Sequence, residues 1–143
     1  MHDAFDEIHA GRTTTVLALE GDAVVGYATV ARDGLDWTAH VAELRILVAS
    51  GWRGRRLGRV LVDQAFAIAR EAGVTKMMAQ MTESQTAAQA VFKRFGFTRE
   101  AVLRGHVRDR EGRLHDLWVM SVNVDMFSAR VTAMELAVLG FDR

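Results

Sequence analysis

An α/β fold, a mixed sheet with helices on both faces, is predicted by three observations. Short β-rich runs, several alternating apolar and polar residues, recur through the first half and again near the C-terminal third. Two longer runs, 58–72 and 82–97, carry apolar residues at helical spacing, and each meets a glycine at its end, Gly73 and Gly96. The two kinds follow one another as β-β-β-α-β-α-β-β and then a helical tail, an order that fits one sheet with helices packed on it.

Each element has its own reason. "TTTVLALEGDAVVGYATVAR" reads as a hairpin, two β-rich runs broken at Gly21-Asp22. "HVAELRILVAS" is the next strand, with Glu43, Arg45 and Leu47 on one face and Leu44, Ile46 and Val48 on the other. The first helix follows, with Leu57, Leu61, Val62, Ala65, Ile68 and Ala69 on its apolar side. "VTKMMAQM" has little polarity on either side, which predicts a central strand covered on both faces. In the second helix Thr82 with Gln85, or Thr86 with Gln89, fits a capping box. Ala88, Val91, Phe92 and Phe95 form its stripe, and Gly96 suits a left-handed C-terminal cap. "EAVLRGHVRDREGRLHDLWVMSVNV" reads as a long hairpin turning near Glu111-Gly112. The tail from Met126 has helical periodicity through Phe127, Val131, Met134 and Val138. It reads as a packing helix or a homodimer contact.

Composition excludes several functions. The 143 residues suffice for one domain, and half are hydrophobic. Formal net charge is zero, so no general affinity for nucleic acid or an acidic membrane is indicated and any basic site is local. Without cysteine there are no disulfides, thiolate nucleophiles or zinc–thiolate sites. No apolar run approaches the roughly 18 to 20 residues that span a bilayer. The start, "MHDAFDEIHAGR", is unlike a signal peptide, and a cytoplasmic protein is expected.

The string "VASGWRGRRLGRVLVDQAFAIAREAG" crowds Arg53, Arg55, Arg56 and Arg59 onto a glycine-bearing turn at a helix start. Such a start exposes unpaired N–H groups and a partial positive charge. Glycine lets an anion approach the backbone, and arginine adds forked hydrogen bonds. The chemistry suits a pyrophosphate, although the spacing is neither a P-loop nor a dinucleotide fingerprint. A solvated basic turn is the structural alternative.

Taken together, these features resemble the GNAT superfamily of acyl-CoA-dependent N-acetyltransferases. The family's Gln/Arg-x-x-Gly-x-Gly/Ala signature stands here as Arg53-Gly54-Arg55-Arg56-Leu57-Gly58. Arg56 occupies the place of the middle glycine, and the turn keeps its course if Arg56 takes a negative φ. "TAAQAVFKRFGF" is similar to the family's Asn-x-x-Ala-x-x-x-Tyr-x-x-x-Gly-Phe helix, with Gln85 at the Asn position and Phe92 at the Tyr position. "WTAHVAE" (37–43) and "HVRDREGRLHDL" (106–117) resemble a bacterial subgroup. The resemblance implies a GNAT-like, mostly antiparallel sheet flanked by helices, with a domain over 1–125 and a helical extension over 126–143. The family fold usually begins with a strand and two helices before the hairpin. With about a dozen residues ahead of Thr13, those elements are expected to be shortened or missing. The tail or a partner subunit is then left to cover the acceptor side.

The resemblance also implies roles. Arg53, Gly54, Arg55, Arg56, Leu57, Gly58 and Arg59 would bind the diphosphate of acetyl-CoA, the co-substrate. Ile46, Leu47 and Val48 would pair with its pantetheine arm, with an oxyanion donor at about Leu47 or Val48. Gln85, Phe92 and Lys93 would line its other flank. Glu43, and after it His40, are candidate bases for the amine; a surface ion pair with Arg45 is the plain reading of Glu43. Trp37, His106, His115 and Asp116 are candidate acceptor contacts, His106 and His115 expected on one face of the hairpin, with hairpin-fixing hydrogen bonds as the alternative. No metal site is expected. Phe92 carries no acidic proton, so a family tyrosine's role as thiolate acid has no holder there. A non-catalytic acyl-CoA-binding module is the rival reading, and the acceptor is a small-molecule or peptide amine.

Overall fold

A computed structural model of the chain describes residues 4–53 and 56–127. They form an α/β fold of two compact units, divided between Met77 and Met78.

In the first unit β1 (Ala4–Ala10), β2 (Thr13–Glu20), β3 (Ala23–Ala31) and β4 (Val41–Val48) lie side by side in that order, each antiparallel to the next. Two-residue turns with a left-handed glycine join β1 to β2 (Gly11, φ 61°) and β2 to β3 (Gly21, φ 59°). Of the N-terminal elements expected to be shortened or missing, the strand is present. β1 pairs along its whole length with β2, and no helix stands between them. Its exposed charged residues, among them Asp6 and Glu7, hid it in the sequence, because an edge strand needs little apolar pattern.

Helix α1 (Leu57–Glu71) packs on β2, β3 and β4. Leu57, Leu61, Val62, Ala65, Phe66 and Ala69 are buried with Val16, Ala18, Ala28, Val30 and Leu44, large side chains here contributing about 1.5–3 kcal/mol each relative to exposure. Gly26 makes the close approach possible, since a Cβ there would lie 3.1 Å from the Leu47 carbonyl oxygen and 3.2 and 3.3 Å from Leu61 and Leu57 methyl carbons. The registers put Thr13, Tyr27, Thr29, Ala31, Glu43, Arg45 and Leu47 on the opposite face, where none is buried.

β5 (Lys76–Thr82) begins at the end of the first unit and lies mostly in the second, where the order is β5-β7-β6. Met77, Ala79 and Met81 are buried, but Gln80 is exposed and Met78 half-buried, so full cover on both faces does not occur. Helix α2 (Thr86–Arg94) ends as expected at Gly96, φ 95°. The Phe97 amide donates to the Phe92 carbonyl and the Gly96 amide to that of Lys93, while the Phe92 and Phe97 rings meet edge-on at 5.0 Å. That is a complete Schellman cap with its hydrophobic contact.

At the other end the capping box is only half made. Gln85 Oε1 accepts the Thr82 amide at 2.8 Å, closing the turn before the helix. Gln89, the buried residue of α2, donates to the carbonyls of Thr82 and Glu83 rather than pairing with Thr86. The stripe predicted for α2 is thus only half-buried or exposed.

β6 (Thr98–Arg108) and β7 (Leu114–Asn123) make the antiparallel hairpin, with Gly112 at φ 84° in its turn. Val124–Phe127 begin a helical turn; the expected tail helix otherwise lies outside the described residues.

Candidate active site

The β4–α1 junction runs from Ala49 through a 3₁₀ turn (Ser50–Trp52) to an extended, exposed Arg53. Arg56, the N-cap of α1, has φ 65° and ψ 6°. The condition of a negative φ at Arg56 is not met: an arginine stands in the left-handed conformation that favours glycine, at a cost of roughly 1–2 kcal/mol. α1 starts with no side-chain cap and no acid in its first turn, and its first bond runs from the Val60 amide to the Arg56 carbonyl at 3.2 Å. The amides of Leu57, Gly58 and Arg59 have no protein partner among the described residues. A Cβ on Gly58 would meet nothing closer than a Val48 methyl at 3.9 Å, so a side chain has room at that position. Arg59 is partly turned along the helix, its Nε 3.5 Å from Asp63 Oδ2 and buried without a hydrogen bond. Gly54 and Arg55 lie outside the described residues.

On β4, Ile46, Leu47 and Val48 run beside Ala28, Tyr27 and Gly26 of β3, with the Leu47 side chain exposed. Glu43 is one quarter exposed, and its Oε1 accepts from Arg45 Nε at 2.6 Å. The surface ion pair weighed for Glu43 is present, and it holds the Arg45 guanidinium above its ordinary pKa. Glu43 also lines a shallow depression of about 480 Å3 with Thr13, Tyr27, Thr29, Ala31, Arg32, Asp33 and Arg45. Tyr27 is half-buried and belongs to this wall. His40 is exposed, and its carbonyl accepts the amides of Thr75 and Lys76. Trp37 stands 80% exposed on a 3₁₀ turn, Asp36–Thr38, outside the lining of the depression.

In the second unit Gln85 serves the turn before α2, Phe92 packs on Phe97, and Lys93 Nζ lies 5.9 Å from the Trp118 ring, which Arg99 also covers at 4.7 Å. The hairpin polar residues chiefly serve the hairpin itself. Asp109 Oδ1 accepts the amides of Glu111 and Arg113, and Asp109 Oδ2 meets His115 Nε2 at 2.7 Å. Glu83 Oε1 lies 3.6 Å from His115 Nδ1. The hydrogen bond from Asp109 raises the His115 pKa and lowers that of Asp109. Asp116 Oδ1 accepts the Gly105 amide where the strand register shifts. His115 pairs across the hairpin with Val107, so His106, the next residue along, falls on the other face. The expected juxtaposition of His106 and His115 is corrected; the turn over residues 109–113 sets Arg108 opposite Leu114 and so Val107, not Arg108, opposite His115. Among the described residues no cluster of three or more His, Asp or Glu side chains is placed to hold a metal ion.

Three contributors were missed in the sequence. Arg32 and Asp33 border the depression but sit in a loop with no periodic signal. Gly26 could have been found from the strand alternation, which puts it on the face that α1 covers.

This combination of a cationic, uncapped helix start after a strand and a second helix closed by Gly-Phe defines a class, and comparison with known proteins agrees. The profile of the Acetyltransferase (GNAT) family matches residues 1–97, and the chain belongs to that family. It is 33% identical over 86 residues to streptothricin acetyltransferase of Streptomyces lavendulae, covering 60% of this chain and 44% of that one. It is 34% identical over 89 residues to mycothiol acetyltransferase of Geodermatophilus obscurus, covering 60% and 29%. The chain thus spans less than half the length of either relative. An acetyltransferase of Salmonella typhimurium, solved with its cofactor acetyl-CoA, superposes with a TM-score of 0.70 at 25% identity, covering 79% of this chain and 65% of that one. Among the described residues no helix is long and apolar enough to cross a membrane.

Proposed function

We propose that the chain is an acetyl-CoA-dependent N-acetyltransferase acting on a primary amine. The observation that carries this reading is the start of α1, where the amides of Leu57, Gly58 and Arg59 have no protein partner among the described residues, no side-chain cap and no acid in the first turn. Such a site suits a diphosphate, with Arg53 and Arg56 adding charge. Acetyl-CoA supplies an acetyl thioester open to attack by an amine. Ile46, Leu47 and Val48 align its pantetheine arm, and a Leu47 or Val48 amide steadies the oxyanion.

An alkylamine has a pKa near about 10.4 and must lose a proton before its lone pair can attack. Glu43 takes that proton, directly or through water. Its Oε1 is held by Arg45, while Oε2 has no protein partner among the described residues. The C–N bond forms as the C–S bond breaks, and the thiolate is protonated from solvent, since Phe92 has no proton to give. Glu43→Gln is expected to lower kcat about 100-fold and leave the acetyl-CoA Kd unchanged. An unchanged kcat removes Glu43 from the mechanism.

A second reading is a non-catalytic acyl-CoA-binding module, favoured by Phe92 at the tyrosine position and by the Glu43–Arg45 pair. A thiol-release assay over a panel of amines and peptides separates the two. Tight acetyl-CoA binding with no turnover for any acceptor supports the module.

A further inference from the structure

We propose that the acceptor is an amine carrying a nearby carboxylate, as in a free amino acid, and that Arg32 recognises the carboxylate. This inference rests on the acetyltransferase reading and concerns the depression beside Glu43.

Four charged side chains line that depression, Arg32, Asp33, Glu43 and Arg45, and three of them are already engaged. Asp33 is satisfied from within: its carboxylate accepts from Thr38 Oγ1 at 2.7 and 2.8 Å and from the Leu35 amide at 3.0 Å. The Arg12 guanidinium lies where a Cβ on Gly34 would stand and adds a weaker attraction to these hydrogen bonds. Glu43 is paired with Arg45. That leaves Arg32. Its backbone amide donates to the Arg12 carbonyl at 3.1 Å, but its half-buried side chain has no partner among the described residues. It lines both the depression at Glu43 and a neighbouring one of about 200 Å3.

A half-buried guanidinium without a counter-ion attracts an anion and holds a carboxylate through two parallel hydrogen bonds. Arg32 directly follows Ala31, the cross-strand partner of Glu43. A cation acceptor and an anion acceptor therefore border one depression of about 480 Å3, a volume that suits a small zwitterion. A polyamine fits poorly, because a second ammonium would meet Arg32 or Arg45.

The test compares L-amino acids, their methyl esters, and the diamines putrescine and spermidine as acceptors, in wild type and in Arg32→Gln and Arg32→Glu variants whose folding is checked by circular dichroism. For the best amino acid, wild-type kcat/KM is expected to exceed that of its ester by about tenfold or more. Arg32→Gln should bring that ratio close to one through KM, with kcat kept, and Arg32→Glu should favour the diamines. Esters equal to acids in the wild type, or equal losses for both in Arg32→Gln, overturn the proposal. If no acceptor consumes acetyl-CoA, calorimetric titration of the same amino acids and esters decides. Acids binding more tightly than esters in an Arg32-dependent way sustains the recognition and sinks the transferase reading, whereas no binding of either sinks both.

Discussion

The β4–α1 junction and the β6–β7 hairpin each carry an arginine-rich polar string, and they treat polar groups in opposite ways. In the hairpin, Asp109 closes the turn with two amides and binds His115, and Asp116 ties down the register shift at Gly105. Its polar residues largely satisfy one another. At the junction, three amides at the start of a 15-residue helix have no partner among the described residues, and an arginine holds a left-handed backbone. Evolution spends capping residues readily, since one contributes about 1 kcal/mol. An uncapped, acid-free helix start among arginines is what a ligand that supplies the negative charge requires. Motif density alone therefore does not mark a binding site; unsatisfied groups do.

The sharpest break in this contrast is Gly58→Asp. The side chain has room, and an acid in the first turn favours the helix dipole, so thermal stability should hold or rise slightly. Acetyl-CoA affinity should nevertheless fall, by about 10- to 100-fold in calorimetric titration, because like charges then face each other. Unchanged affinity would place the diphosphate elsewhere. Next, Gly26→Ala should cost about 1–3 kcal/mol in denaturant unfolding by pushing Leu57 and Leu61 off β3. A neutral result would mean that α1 shifts freely. Arg56→Gly should stabilise by about 1 kcal/mol, since glycine takes φ 65° without a Cβ penalty; lower stability would contradict the strain assigned to that arginine.

The hairpin responds to pH instead. His115 has its pKa raised above 6.5, so its contribution is complete below 6.5 and fades as pH rises through the folded value. Asp109 has its pKa lowered below 3.8, so its contribution is complete above 3.8 and fades as pH falls through the folded value. Between 3.8 and 6.5 both act together. In Asp109→Asn an NMR titration of the His115 ring should move toward 6.5; no movement would show that Glu83 alone sets it.

Much of this was legible in the sequence where spacing is the signal. The Gly21 hairpin, both helices and the Gly96 cap follow from local periodicity and from glycine at left-handed positions. β1 was not legible, because a polar edge strand lacks alternation. Nor was the side of the hairpin on which His106 falls, because pairing displaced by one residue reverses a face. At the site, Glu43 and the arginine turn could be nominated from residue type, but the unpartnered side chain of Arg32 emerges only once Glu43 is seen to pair with Arg45 and Asp33 with Thr38 and the Leu35 amide.

The most direct measurement follows backbone amide NMR shifts during titration with coenzyme A and, in parallel, with pantetheine, which lacks the diphosphate. Large shifts of the Leu57, Gly58 and Arg59 amides with coenzyme A, absent with pantetheine, are predicted. Saturable coenzyme A binding that leaves those three amides unmoved would contradict the reading on which every assigned role depends.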